Sequence, residues 1–397
     1  MSLPRGSTTT AGILEHAPLS TKGKKVFYHP ELDALRFFAF LQVFYYHIGN
    51  QFFKEDSVSA YHGWKSAVVA CFKTGILGVD LFFCLSSFLI TSLLLRECDL
   101  NGTFDLKRFW IRRILRIWPL YFFFLALAVF VLPHIADFAQ PWRPGYVATF
   151  ALFGGNWACA LHGLPPFPGA ILWSVSVEEQ FYLLWPLLLL LFTPRRLTFL
   201  AVGGLILASL TRVVFVAAGA VPSPHPLLWT CTLTQIDSIA LGALFAMVVR
   251  QWKWNPAKSA RTFLAAIGLV VPIMIILLLG SDVCFNTKWS IAFFPVAAIC
   301  CTCLLGAIYR EDPVRMPSFL VYLGRISYGL YVYHMLAIDV ANHIPAIHVQ
   351  GLKHLNVPVF LLASCALTVG MAAVSYRYLE QPFLRLKSKF TVIRSTP

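Results

Sequence analysis

Charge is scarce in this sequence, and negative charge is scarcest. Only 13% of its 397 residues are charged, and 18 Asp and Glu face 32 Lys and Arg. With 58% apolar residues, too little polar surface remains to coat a water-soluble fold, so an ordinary soluble domain is excluded. The short apolar stretch of a signal peptide is missing from residues 1–29, which are polar and carry Lys22, Lys24 and Lys25. They read as a retained tail. The ten cysteines show no metal-ligand spacing. Cys300, Cys301 and Cys303 fall inside an apolar run, where packing is their simplest role. No repeat period is visible. Nor is there the soluble basic face that a nucleic acid would need, so no nucleic-acid partner is expected.

What the chain has instead is a series of apolar runs, each long enough to cross a bilayer at about 20 residues. Ten are placed, at roughly 32–50, 75–95, 114–132, 171–192, 197–219, 229–249, 262–280, 289–309, 319–339 and 356–376. The expected fold is an all-α integral membrane protein of about ten transmembrane helices. Residues 30–385 form one membrane domain, between the tail 1–29 and a short basic tail 386–397. Cytoplasmic segments carry the excess of Lys and Arg. With both termini cytoplasmic, 24 of the basic residues fall on the inner side and six on the outer side. The net charge of +14 is then mainly a topology signal, and a basic inner face would attract anionic lipid or a phosphorylated ligand. The longest outer segment, 133–170, is rich in Pro, Gly and aromatics and reads as a structured loop or as a plain connector. The basic, aromatic stretch before the third run reads as a short interfacial helix.

The first run, LDALRFFAFLQVFYYHIGN from Leu32 to Asn50, carries Arg36 and His47. Eleven residues are about three helical turns, so both side chains fall within about 20° of one face and about 16 Å apart along it. Ionisable groups inside a span are costly and mark functional sites by default. With the orientation above, Arg36 lies near the cytoplasm and His47 near the outer face. The outer half would also hold Asp80, Glu178, Glu179, Arg212, Asp237 and His334, with Ser86 near the middle. Singly, each has a structural reading: Arg212 and Asp237 as an ion pair, His334 as a packing contact, Asp80 as a partner of a neighbouring group. Shared depth across several helices points to a polar cavity opening outward. The inner half is basic, with Arg36, Arg113 and Arg116; Arg113 and Arg116, three apart, share a helix face. Such a cluster suits the phosphates of a nucleotide-like donor. Trp157, Trp173 and Tyr182 would stack on sugar faces, although aromatic rings are also ordinary interface residues.

Seven stretches in order carry a resemblance: ELDALRFFAFLQVFYYH, GVDLFFCLSSFLI, RRILRIWPLYF, LWSVSVEEQFYLLWPLLL, DSIALGALFA, LGRISYGLYVYH and YRYLEQPF. The sequence resembles the acyltransferase 3 family of bacterial multi-pass O-acyltransferases over about residues 30–385. The family's Arg-x10-His signature falls on Arg36 and His47, its Arg-x-x-Arg element on Arg113 and Arg116, and its acidic motif on Trp173 through Gln180. Where the family reads Ser-Gly-Phe, this chain has Ser86-Ser87-Phe88, so the shape of the acyl pocket is not carried over directly. The hydrolase-like domain that some relatives carry is not seen here, so acceptor binding is expected from the membrane domain and its loops.

The resemblance implies acyl transfer, most often from acetyl-CoA, to a hydroxyl. Acceptors in the family are glycans and glycosylated small molecules, and its setting is the bacterial inner membrane. The expected donor is acetyl-CoA or another acyl-CoA, with no permanently bound cofactor and no metal. His47 would be the general base, since imidazole titrates near neutral pH, or would form an acyl-histidine. Glu178 or Glu179 would orient His47 or bind acceptor. Arg36, Arg113 and Arg116 would hold the CoA phosphates, and Asp80, Ser86, Trp173, Arg212, Asp237 and His334 would bind substrate. The alternative is a transporter or flippase for a glycan or lipid-linked sugar, which also needs a polar cavity at depth. A third reading is an acyl-CoA sensor without turnover.

Overall fold

The structure is a computed structural model that describes residues 27–53, 58, 62–135, 140–219, 226–280, 288–344 and 353–391. Most of the 1–29 tail and the last six residues lie outside the described residues, as does the sidedness of both ends. All regular structure among the described residues is helical.

Helix α1 (Pro30–Phe52) begins with Pro30, where a missing N–H costs nothing, and places Glu31 and Asp33 at the positive end of the helix dipole. Helix α2 (Trp64–Lys73) passes through a 3-10 turn into α3 (Leu77–Asn101). Helix α4 (Leu106–Ala126) is capped by the Asp105 carboxylate, which accepts from the Arg108 amide at 2.9 Å. The basic stretch read as a short interfacial helix leading into the third run is the opening of α4, which continues without a break to Ala126. Helices α5 (Pro144–Ala151) and α6 (Gly155–His162) give the long loop between spans a fixed shape. Tyr121 and Tyr146 donate to the carbonyls of Phe150 and Gly163 at 2.7 and 2.9 Å.

The chain continues through α7 (Trp173–Leu191), α8 (Pro194–Ala217), the single turn α9 (Leu227–Thr230), α10 (Thr232–Trp252), α11 (Lys258–Leu279) and α12 (Ser290–Ile308). Then follow α13 (Ser318–Arg325), α14 (Ser327–Asn342), α15 (Lys353–Ser375), a π-helical turn at Tyr376–Glu380 and α16 (Gln381–Lys387). Each of the ten apolar runs coincides with a helix or a helix pair. Among the described residues, eight helical segments are long and apolar enough to cross a membrane by length and composition. The α1 and α13–α14 segments fall outside these eight; they carry Arg36 and His47, and Arg325 and His334. In the segment containing α3, 78% of the most apolar stretch is buried by protein, against 17% for α8 and for α11. Helix α3 is thus central, and α8 and α11 present their side chains outward.

The ninth run is not one span. It breaks at Ile326, whose φ and ψ of −88° and 6° end α13 before α14 begins. Irregular backbone at membrane depth is tolerated where it lines a cavity, and the freed Arg325 carbonyl accepts from Arg116 at 3.3 Å. The break sits where α13 is pressed on α1: a Cβ at Gly324 would lie 2.0 Å from the Asp33 carbonyl oxygen.

The Ser86-Ser87-Phe88 departure has a packing counterpart. Ser87 is fully buried and bonds the Cys84 carbonyl at 3.0 Å. Across from it stands Gly242 of α10, where a Cβ would lie 2.1 Å from Ser87 Oγ and 2.2 Å from the Cys84 carbonyl oxygen. Close approach of α3 and α10 depends on the glycine of the partner helix. Gly242→Ala is expected to cost about 1–3 kcal/mol, as overpacked interiors do, read as a lower thermal unfolding midpoint in detergent or nanodiscs. An unchanged midpoint would show that this contact can relax.

Candidate active site

Arg36 of α1, Arg113 and Arg116 of α4 and Arg325 at the helix break converge on a cavity of about 680 Å³, closed on another side by Arg385 and Lys387. The ionised carboxylate in its lining is Asp33, 3.4 Å from Arg36. Buried Nε atoms of Arg113 and Arg325 have no hydrogen-bond partner. Six cations against Asp33 in this lining and Glu178 in the adjoining space still leave an excess of positive charge that an anionic ligand would neutralise. Arg112, next in sequence, is not part of this surplus. It turns away to a buried ion pair with Glu97 at 2.7 Å and donates to the Phe390 carbonyl at 3.0 Å.

A narrower space of about 100 Å³ leads inward from the same arginines. Arg36, Leu89, Arg113 and Arg116 line both spaces, so the smaller is a throat on the larger. Beyond the arginines its walls are Val79, Phe82, Phe83, Leu89, Ile90, Ile117 and Val175, interleaved with the polar Ser86, Ser174, Glu178, Tyr182, Ser327, Tyr328 and Tyr331. Ser86 Oγ donates to Glu178 at 2.7 Å, and Tyr182 donates to Ser86 at 3.2 Å. Glu178 also lies within electrostatic reach of Arg36 and Arg113. Its carboxylate thus belongs with the arginines and not with His47.

His47 meets a different neighbour. Its ring centroid lies 5.1 Å from that of His334 on α14. His334 Nδ1 bonds the Tyr331 carbonyl; since a carbonyl only accepts, Nδ1 carries a proton. In the neutral ring Nε2 is then an acceptor, and this buried atom has no partner. Tyr331 connects the two regions. Its hydroxyl bonds Ser174 at 2.7 Å, its ring lies 5.5 Å from His334, and it lines the throat.

The expected shared polar cavity is instead divided, because most of its members have found protein partners. Glu179 accepts from Trp118 Nε1 at 3.0 Å and is not part of the throat lining. Asp80 accepts from Ser238 at 2.8 Å, and Arg212 pairs with Asp237. All four of these are buried, and they join α3, α8 and α10. Trp173 packs on Trp229 with centroids 5.6 Å apart. The structure therefore gathers Arg36, Arg113, Arg116, Ser86 and Glu178 in one place and His47 with His334 beside it. It leaves Glu179, Asp80, Trp173, Arg212 and Asp237 in packed positions outside the lining of both spaces, and His47 and His334 also line neither space.

Several lining residues have no signal in spacing or periodicity. Lys387, Ser388 and Thr391 were expected in a basic tail, yet they line the cavity. Tyr328 and Tyr331 read as ordinary helix aromatics. Glu380 is buried at 2% exposure in the π-helical turn, with both carboxylate oxygens unpartnered; the YRYLEQPF stretch contained it, but nothing there marked it as buried.

A family model described as an acyltransferase domain matches residues 29–377. The chain is 29% identical over 384 residues to a "Putative O-acetyltransferase" of Staphylococcus aureus strain MSSA476, covering 91% of this chain and 58% of that protein. It is 25% identical over 383 residues to the peptidoglycan O-acetyltransferase OatA of Listeria monocytogenes, covering 89% and 56%. The chain thus spans less than two thirds of the length of these curated relatives. No solved structure matches it significantly.

Burial of the Arg212–Asp237 pair generates a stability prediction. Asp237→Ala strands a buried guanidinium and should destabilise by about 3–5 kcal/mol, whereas Arg212→Met with Asp237→Leu should be near neutral. Unfolding midpoints of the three proteins check this. A double variant as unstable as the single one would mean that the pair is not the element holding α8 to α10.

Proposed function

In a chain that belongs to the acyltransferase-domain family whose model it matches, we propose that the paired sites perform O-acyl transfer from a cytoplasmic acyl-CoA, acetyl-CoA first, to a hydroxyl of a sugar-containing acceptor. The acceptor would be an extracytoplasmic or lipid-linked glycan, and the setting the inner membrane of a bacterium. The carrying observation is the cavity in which Arg36, Arg113 and Arg116 stand with three further cations, in excess of the nearby carboxylates Asp33 and Glu178. A CoA nucleotide with its phosphates is an anion of the kind such a cavity lacks. The throat that continues from it is narrow and lined in part by apolar side chains, as an extended pantetheine arm with a small acyl group requires.

The excess of basic residues at the arginine end of the bundle supports a cytoplasmic donor cavity. Arg36 and His47 are about 16 Å apart along α1, so a donor anchored at the arginines would extend its thioester toward the histidine pair. There His47 would take the proton of the acceptor hydroxyl as its oxygen attacks the thioester carbonyl. The tetrahedral adduct would expel the CoA thiolate, which recovers that proton from the imidazolium. His334, with Nδ1–H tied to the Tyr331 carbonyl, is the neighbour placed to orient His47, in the role first expected of Glu178 or Glu179. Glu178, held by Ser86, would position the arginines at the mouth of the throat. The peptidoglycan named for the Listeria relative makes a glycan hydroxyl the first acceptor to try.

The test uses the full chain in nanodiscs with acetyl-CoA and a glycan extract, following free CoA. His47→Ala should lower acceptor-dependent release by about 100-fold or more, the range of general-base loss. His334→Ala should lower it less. Arg36→Ala should chiefly weaken donor binding. Full transfer by His47→Ala would remove the proposed base, and absence of acetyl-CoA binding by the unaltered protein would favour transport.

A further inference from the structure

We infer that the chain beyond the matched family region completes the donor site: residues 381–391 form a strap across the arginine cavity, and Lys387 binds a phosphate of the donor. This rests on the acyl-CoA reading and adds a ligand to it that lies past residue 377, where the family match ends.

The π-helical turn at Tyr376–Glu380 interrupts α15 before α16. An extra residue in a turn rotates everything that follows about the helix axis, and α16 here turns its Gln381, Leu384, Arg385 and Lys387 side to the cavity. The strap is tied down from outside the cavity. Arg112, itself fixed by Glu97, donates to the Phe390 carbonyl at 3.0 Å. Ser388 and Thr391 bond back to the carbonyls of Arg385 and Lys387 at 2.6 and 3.1 Å, which keeps the end of the strap turned. In this position Lys387 lines the same cavity as Arg36, Arg113 and Arg116.

The three arginines Arg36, Arg113 and Arg116 share this lining with Lys387 and would repel its ammonium, and a lysine tail free to leave would extend into solvent. The backbone ties hold it there, so the arrangement becomes favourable when an anion lies between the groups. Arg113 and Arg325, whose buried Nε atoms have no partner, belong to the same cavity lining. A compact ammonium on a flexible stem suits a phosphate oxygen, while the arginines supply the planar, two-pronged contacts. A lipid headgroup has the same phosphate chemistry, so the experiment must separate the two sources.

The full chain is placed in phosphatidylcholine nanodiscs, which carry no anionic lipid, and binding of CoA, dephospho-CoA and pantetheine is measured. Lys387→Ala should weaken CoA binding about tenfold, as loss of one charge-assisted contact does, and leave pantetheine binding unchanged. Lys387→Arg should restore CoA binding to within about threefold, which shows that the altered site still folds. Loss shared by dephospho-CoA would assign Lys387 to the pyrophosphate; loss confined to CoA would assign it to the ribose phosphate. The strap inference is overturned if Lys387→Ala binds CoA as the unaltered protein does, or loses CoA and pantetheine equally. In the first case, Arg36-dependent CoA binding would leave the acyl-CoA reading standing. If the unaltered protein binds no CoA in these discs, both readings fall, and Lys387-dependent binding of phosphatidylglycerol in its place would assign the cavity to a lipid headgroup.

Discussion

An ionised side chain inside a hydrocarbon-facing bundle must be matched by a partner, and this single constraint sorts the polar residues of the protein into two kinds. Those that are matched within the chain hold helices together: Arg212 with Asp237, Arg112 with Glu97, Asp80 with Ser238. Those that are not matched face a cavity, where Arg36, Arg113, Arg116, Arg325, Arg385 and Lys387 share Asp33. The cost of a lone intramembrane charge, roughly 2.5 kcal/mol or more, is the same for both kinds. What differs is whether the counter-charge comes from a neighbouring helix or from a ligand. The paired groups fix the distances between α3, α8 and α10, and that rigidity lets the unpaired groups stay poised around an open space.

The register of α1 was legible from the sequence because helical periodicity is a local property: Arg36 and His47 lie on one 23-residue helix. Arg113 and Arg116 followed for the same reason. The residues that failed to join the site failed through tertiary contacts that no spacing encodes. Glu178 and Glu179 are adjacent, so their side chains leave α7 about 100° apart; one reaches Ser86 beside the arginines and the other Trp118. Depth alone made Asp80, Arg212 and Asp237 look like cavity residues, but depth does not give azimuth. The interruption at Ile326 was invisible for a related reason, since LGRISYGLYVYH is apolar and helical on either side of it and contains no proline.

The contact between Ser87 and Gly242 shows how a local departure from a motif is absorbed. A small residue is needed where α3 meets α10, and it is needed once per contact, on either side. Reading α3 alone suggests a changed pocket; reading both helices shows a preserved approach, with the added hydroxyl turned back on its own helix at Cys84. The same economy appears at Gly324, whose lack of a side chain brings α13 against Asp33 and so carries Arg325 into the cavity.

The throat has a bioenergetic consequence. If the proposed reading holds, a charged donor enters from one face of the membrane and a proton-accepting group is offered toward the other, and such a protein contains the makings of a conductive pore. A wide aqueous passage between the two would let protons and ions run down the membrane potential, which does work of about 2.3 kcal/mol per charge for each 100 mV. The phenylalanines and branched aliphatic residues between Arg36 and Tyr331 restrict that passage to about 100 Å³, against about 680 Å³ on the arginine side. On that reading they would act as the electrical insulation of the bundle, and would set an upper limit on how far the site can be widened for larger acyl groups before the cell's gradient would bear the cost.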